Sequence, residues 1–360
     1  MKPTFSICIP NYNYARYIGT TIESVLSQSY PHFEIIVADN ASTDDSVEVV
    51  RSFGSKKIRV IENQRNIGFA PNLDRATESA KNDFMILLSS DDVMRPGALE
   101  TYAKVLTDLG SDAANAVLTS AVDVVDGEGS LTGVSYRPQG DLFYRTVSPE
   151  AAEAMEWAGL PVERERGLAA LKETLRRKDS PAQFLATCYS RQLYERVEGY
   201  RSLYRMWPDS DFLNKLLAED PIFVYVPQRL FAYRVHQNNQ LAGEASSGAL
   251  KYQVDAYMHT VEFPETLLTQ MGLRRDELVD VFVEKAVMER GLQAMAVGNA
   301  ERAFRCLAFG FATYPKKALV EPKTYALAGL LALGPVGRVA AKNLYTWHTQ
   351  RKRRGASSSS

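Results

Sequence analysis

Residues 6–45, SICIPNYNYARYIGTTIESVLSQSYPHFEIIVADNASTDD, decide the fold. Residues 5–9 form a β-rich apolar run closed by Pro10. After an Asn-Tyr-Asn-Tyr turn, residues 18–27 carry apolar side chains at helical spacing. Residues 33–38 are a second apolar strand, followed by a polar loop from Asp39 to Asp45 rich in turn and helix-capping residues, with Asp44 or Asp45 as the cap. Residues 46–53 then continue as helix. Strand, helix, strand, helix is the rhythm of a wound α/β sheet, and it leaves Asp39 at a strand end.

The rhythm persists downstream. Residues 58–62 read as a third strand, Asn66-Ile67-Gly68-Phe69 as a turn, 70–80 as a helix and 84–88 as a fourth strand. That strand runs through Leu87-Leu88-Ser89-Ser90 into Asp91 and Asp92. Two adjacent carboxylates repel, and leaving both at a strand end is unfavourable unless a cation or a hydroxyl engages them. Residues 96–109 read as helix, 116–125 as strand, and Asp126-Gly127-Glu128-Gly129 as a tight turn. Between about 138 and 180 the pattern turns charged and alanine-rich, which predicts a helical insertion that includes Glu163-Arg164-Glu165-Arg166. Sheet-like patterning resumes at 184–189 and again at 223–227 and 230–234, on either side of the Trp207-Pro208-Asp209-Ser210-Asp211 segment.

Past Gln240 a Gly/Ser-containing break leads into helix alone. Residues 276–296, Gly298-Asn299 and 300–314 predict an αα-hairpin. The apolar run 325–336 is well short of the ~20 residues that span a bilayer. A basic cluster, Arg351-Lys352-Arg353-Arg354, and serines close the sequence.

Composition bounds the functional classes. The 360 residues are 45% hydrophobic and 24% charged, with 42 basic against 43 acidic residues, so no overall field favours a nucleic-acid partner. Cys8, Cys188 and Cys306 are far apart and lack CxxC spacing, which argues against a disulfide framework or zinc site and suits a reducing cytoplasm. The strand at Phe5 leaves no room for a signal peptide, so the expected location is cytoplasmic, either free or peripheral at the inner face of a membrane. No GxGxxG follows the first strand, as a dinucleotide enzyme would require. A sugar-nucleotide pyrophosphorylase would carry a Gly-rich loop where this chain has Pro10-Asn11-Tyr12-Asn13.

Taken together, the strand ending in Pro-x-Tyr-Asn, the SxxxQ helix, the EIIVxDxxSxD segment, the NxG turn and the Asp-Asp pair make residues 5–110 resemble a family 2 glycosyltransferase of the GT-A fold. The resemblance is weaker over 183–240, carried by WPDSDFLNKLL and FAYRVH. It implies a doubly wound, mostly parallel sheet flanked by helices, with a catalytic domain over 1–240: a nucleotide-binding half at 1–110 and an acceptor half at 111–240. The remainder reads as a helical region at 241–345 and a basic, Ser-rich tail at 346–360. The implied reaction is inverting transfer from a nucleotide diphosphate sugar, UDP- or dTDP-type, to a glycan or lipid-linked acceptor in bacterial surface polysaccharide synthesis, with Mg²⁺ or Mn²⁺. An inactive glycan-binding or scaffold protein on the same fold is the alternative.

Residue by residue, the resemblance assigns Pro10, Tyr12 and Asp39 to the base, with turn or helix capping as the rival role for Asp39. Asn66 and Gly68 line the nucleotide, Asp91 faces the ribose, Arg234 contacts the diphosphate, and Asp92 with His236 binds the metal. Ser89 stands where many relatives have an Asp. The base that takes the acceptor proton is Asp211 or Asp209, and Arg205 and Trp207 on the same loop suit phosphate and sugar. The C-terminal run 325–336 and the basic cluster suit peripheral contact with an anionic membrane or simply a helical cap.

Overall fold

The computed structural model describes residues 2–157, 159–200, 208–237 and 250–356. In chain order the first part forms β1 (Phe5–Asn11), α1 (Ala15–Leu26), β2 (Phe33–Asp39), α2 (Ser46–Ser52), β3 (Ile58–Glu62), α3 (Phe69–Glu78) and β4 (Phe84–Leu87). β5 (Val93–Met94), α4 (Ala98–Leu109), β6 (Ala116–Val125), β7 (Leu131–Tyr136), β8 (Arg145–Val147) and α5 (Pro149–Glu153) follow. The series then runs through β9 (Glu163–Arg166), α6 (Gly167–Arg177), β10 (Cys188–Ser190), α7 (Arg191–Arg196), α8 (Pro208–Ala218) and β11 (Ile222–Arg234).

β1 is buried along its whole length because it lies between two parallel neighbours, β2 and β4. A strand covered on both faces is mostly apolar, which is why 5–10 shows no alternation; the one polar side chain in that run, Ser6, donates to Glu34 Oε1 at 2.6 Å. The helix after it is one-sided: Tyr17, Ile18, Thr21, Ile22 and Val25 of α1 are buried. The main path of the sheet is β3-β2-β1-β4-β10-β6-β11-β5. Ladders are parallel through β3-β2-β1-β4 and between β6 and β11, whereas β10 runs antiparallel to both β4 and β6. The sheet is therefore mixed. Ile7, Ile9, Ile22, Ile35, Ile86 and Leu99 make its core, and the buried Tyr102 satisfies its hydroxyl on the Ala186 carbonyl at 2.6 Å.

Within the expected helical insertion, Glu163–Arg166 is a strand, β9, paired antiparallel with β11. The period decides it: Glu163 and Glu165 are half-buried while Arg164 and Arg166 are exposed, an alternation of two. The two glutamates meet the buried Arg137, whose Nη2 donates to Glu165 Oε1 at 3.0 Å and lies 3.6 Å from Glu163 Oε2. The two runs read at 223–227 and 230–234 are one strand, β11, with a register shift on either side of Arg229.

The chain divides into two units, residues 1–174 with 179–237, and 175–178 with 238–360. In the second, Lys251–Val261 and Glu265–Gln270 precede a helical path through Arg275–Val281, a π-helical stretch Phe282–Glu289 and Arg290–Ala296. Gly298 turns the chain at φ +88°, and Asn299 caps Ala300–Thr313 by accepting from the Arg302 N–H at 3.0 Å. Phe282, Val287, Met295, Cys306 and Leu327 pack together. Pro315–Val320, Pro322–Ala332 and Gly334–Ala356 complete the unit, the last helix extending past residue 346 through the basic cluster. Among the described residues no helix is long and apolar enough to cross a membrane. All three cysteines are free and buried.

Candidate active site

The parallel register places Asn11 and Asp39 side by side where β1 and β2 end. Asp39 is 2% exposed. Its Oδ1 accepts from Asn11 Nδ2 at 2.8 Å and from Ser42 Oγ at 2.6 Å, and its Oδ2 accepts from the Ser42 N–H at 2.9 Å. The carboxylate thus closes the turn after β2. Asp39 fixes the Asn11 amide with its nitrogen inward, since the flipped amide would set oxygen against oxygen. Asn11 Oδ1 is left buried without a hydrogen-bond partner. A buried acceptor in that state marks a place that a donor can fill. Tyr12 beside it is exposed, and Pro10 is buried with its carbonyl accepting from Ser90 Oγ at 3.0 Å.

Asn40 organises the neighbouring turn. Its Nδ2 donates to Asn66 Oδ1 at 3.0 Å and to the Gly68 carbonyl at 3.2 Å, and its Oδ1 accepts from the Ile67 N–H at 2.9 Å and from Asn63 at 3.2 Å. Asn66 Oδ1 also accepts from the Gly68 N–H at 2.9 Å. Gly68 sits at φ +93°, a conformation that demands glycine even though a Cβ there would meet nothing closer than Pro71 at 3.8 Å. Asp44, not Asp45, does the capping: its Oδ2 accepts from the Ala15 N–H at the start of α1 at 2.9 Å, and its Oδ1 accepts from the Ser46 N–H at 3.1 Å. Partial burial pushes the Asp44 carboxyl upward, but the Ser46 hydroxyl and these N–H groups outweigh it and hold it below the usual carboxylate range.

Asp91 and Asp92, 7% and 1% exposed, lie just beyond β4. Thr21 on α1 grips their loop, its hydroxyl within reach of the carbonyls of Ser90 (3.0 Å) and Asp92 (2.8 Å). From the end of β11, the Arg234 N–H donates to Asp92 Oδ1 at 2.9 Å and its Nε to the Asp91 carbonyl at 2.8 Å. The same guanidinium reaches the carbonyls of Asp126 and Gly127 in the turn after β6, at 3.3 and 3.2 Å, and lies over the Tyr17 ring. It is a brace at 5% exposure, with its donors turned to the chain's own carbonyls. His236 Nε2 stands 3.0 Å from Asp91 Oδ2, and its ring packs on Tyr17 with centroids 4.7 Å apart.

Burial pushes Asp92 well above the usual carboxylate range, and the adjacent Asp91 charge adds to it, against the Arg234 N–H and the Ser89 hydroxyl. Asp91 is raised by burial, against the hydrogen bond from His236. Burial and these two charges also raise the Tyr14 phenol. Among the described residues no group of three or more His, Cys, Asp or Glu is arranged around a metal position.

Asp209 and Asp211 occupy the first turn of α8. Asp211 is buried and faces Lys215 Nζ at 3.2 Å, one helical turn on. Phe212 anchors the helix by stacking on Tyr200 at 4.0 Å between centroids. Among the described residues neither acid bonds to Asp91 or Asp92, and Arg205 and Trp207 lie outside them. The structure thus gathers Asp39, Asn66, Gly68, Asp91, Asp92, Arg234 and His236 at the strand ends. Sequence reasoning missed Asn11, Asn40, Thr21 and Tyr17; the Pro-Asn-Tyr-Asn turn and the Asp-Asn pair at 39–40 were the available signals for the first two.

Residues 6–148 match the family described as Glycosyl transferase family 2. TuaG of Bacillus subtilis, named for teichuronic acid biosynthesis, is 36% identical over 101 residues, 28% of this chain and 40% of that protein. Glycosyltransferase GlyG of Streptococcus pneumoniae is 28% identical over 114 residues, 31% of this chain and 38% of its own length. An uncharacterized Nostoc glycosyltransferase is 33% identical over 125 residues, 34% of this chain and 37% of its own length. The chain thus spans about two fifths of these relatives. Among solved structures, residues 1–349 of S. aureus TarS, crystallised with UDP-GlcNAc, share the fold at TM-score 0.61 and 15% identity, over 94% of this chain and 89% of that one. By sequence, residues 6–148 are similar to glycosyl transferase family 2.

Proposed function

We propose that the protein is an inverting glycosyltransferase that moves a sugar from a UDP- or dTDP-sugar to a glycan or lipid-linked acceptor in bacterial surface polysaccharide synthesis. The observation that carries this reading is the buried Asp91–Asp92 pair at the carboxyl ends of the strands, beside the unfilled Asn11 acceptor. That edge is where open α/β sheets take nucleotides. Pro10 and Tyr12 wall the base, Asn11 Oδ1 and Asp39 accept its N–H groups, the Asn66–Gly68 turn flanks it, and Asp91 takes a ribose hydroxyl.

Mg²⁺ or Mn²⁺ suits this donor set, because two adjacent buried carboxylates repel and a cation between them and a diphosphate relieves that repulsion. Asp92 and His236 would hold it, and one or two protein ligands suffice where phosphates and water complete the sphere. Held there, such a cation would supply neutralisation of charge on the departing diphosphate. Arg234 keeps the Asp92 carboxylate and the Asp91 backbone in place. Asp211, with Asp209 as its rival, takes the proton from the acceptor hydroxyl as that oxygen attacks the anomeric carbon opposite the leaving group, which inverts the configuration.

The C-terminal helices carry the second part of the proposal, peripheral contact with an anionic membrane at its cytoplasmic face. Tyr325, Leu333, Val336 and Val339 are exposed there, and the sequence adds Arg351–Arg354. Calorimetric titration with UDP, dTDP, GDP and ADP and their sugars, with Mn²⁺ present, tests the donor. Preference for UDP or dTDP is expected, and preference for GDP overturns the pyrimidine assignment. Flotation with anionic liposomes tests the membrane contact, which should weaken as salt rises.

A further inference from the structure

β6 carries a second buried acid, remote from the donor position. Asp123 is 3% exposed and lies between two arginines: Arg95 Nε donates to Oδ2 at 2.8 Å and Arg229 Nε to Oδ1 at 2.5 Å. Arg95 follows β5, and Arg229 sits in the irregularity of β11 where the register shifts on both sides. Such bulges re-aim side chains. A single carboxylate balances only one of the two guanidiniums, and a structural latch needs only one. Each guanidinium has five N–H donors, yet among the described residues their bonds go to Asp123 alone. Their side chains remain 36% and 28% exposed.

The surplus charge opens onto a groove. Arg95, Asp123, Arg229, Gln228 and Trp157 line an open surface groove of ≈ 670 Å³. Trp157 is half-buried and held: its Nε1 donates to the Ala152 carbonyl at 2.9 Å, and its ring meets Tyr136 edge-on at 5.6 Å. An immobilised indole beside paired guanidiniums offers an apolar platform and a fork for an oxyanion. Arg229 precedes Arg234 by five residues on one strand, so the groove lies no more than about 18 Å from the brace of the Asp91–Asp92 loop.

We propose that this groove binds a saccharide bearing a phosphate or carboxylate, with Arg95 and Arg229 on the anion and Trp157 under the sugar ring. Naming that saccharide as part of the acceptor rests on the glycosyltransferase reading; the groove's preference for acidic saccharides does not. The full chain is titrated with tetragalacturonate, phosphorylated maltotetraose and neutral maltotetraose, followed by calorimetry and tryptophan fluorescence. At least one acidic probe should bind about tenfold or more tighter than the neutral one, with the advantage shrinking as salt rises. Which acidic probe binds identifies the anion. Arg229→Gln, which leaves Asp123 paired with Arg95, should weaken acidic binding about tenfold. Trp157→Phe, which touches neither arginine, should abolish the fluorescence change and weaken all saccharide binding. Equal binding of the neutral probe, wild-type affinity in both variants, or no binding of any probe overturns the proposal. UDP binding to the wild-type chain is read separately, so failure of the donor reading and failure of the groove are distinguishable.

Discussion

Arg234 holds Asp92 through its backbone N–H, at 2.9 Å, and not through its guanidinium, which is turned to the carbonyls of Asp91, Asp126 and Gly127. The side chain sets the loop while the main chain orients the carboxylate. Asp92 is thereby held in a fixed position without a full counter-charge, and its ionised form is disfavoured by burial.

Replacing that carboxylate separates its chemistry from its packing. Asp92→Asn keeps an oxygen to accept the Arg234 N–H and removes a buried charge. We expect an unchanged or raised melting temperature together with a loss of sugar transfer on the order of 10²-fold or more. Calorimetry and a nucleotide-release assay on the same preparation check it; retained transfer would make Asp92 purely structural.

Asp211→Asn retains the shape of the side chain but cannot take a proton. The expected result is a fall in kcat of ~10²–10⁴ with little change in donor affinity. If Asp209→Asn is the inactive variant and Asp211→Asn is not, the roles are exchanged.

Asn40 uses both ends of its amide to hold the turn at 66–68. Asn40→Ala strands these groups and is expected to cost about 1–3 kcal/mol of stability. It should also weaken nucleotide binding more than it weakens saccharide binding. Chemical denaturation and UDP calorimetry measure the two effects.

Asp44 caps the start of α1 with one oxygen and the Ser46 turn with the other. Its folded-state pKa is depressed, so its stabilisation is present above the unfolded carboxylate value and lost as pH falls through the folded one. Asp44→Ala should cost about 1 kcal/mol at neutral pH. The difference from wild type should shrink toward zero as acid protonates the native carboxylate, which denaturant melts across the acid range will show.

The parallel half of the sheet was legible because its signals are local. Each strand is a short, mostly apolar run, each crossover is a helix with one buried face, and Asp39 ends β2 while Asp91 and Asp92 lie a few residues beyond β4. The second half was less so. Glu163–Arg166 resembled a charged helix since its burial depends on Arg137, which lies outside the window that periodicity samples. Similarly, the sheet-like run read at 184–189 is only in part a strand: Phe184–Ala186 is a 3-10 turn, and β10 is Cys188–Ser190, three residues that pair with β4 and β6. Asn11 and Asn40 act through partners brought together by pairing of β1 with β2, and no spacing rule contains that contact.

The placement of β10 has a consequence for how the chain reaches its native state. Residues 188–190 fill the space between β4 and β6, yet they are made roughly a hundred positions after β4. A nascent chain can assemble β3-β2-β1-β4 early, but it then presents β4 as a bare, apolar edge until the later strand arrives. Long-range closure of this kind slows folding, and its interruption favours wrong pairing. A fragment ending between residues 126 and 187 should therefore aggregate during synthesis, whereas one that reaches the end of β11 should not, making the centre of the sheet the last piece to lock.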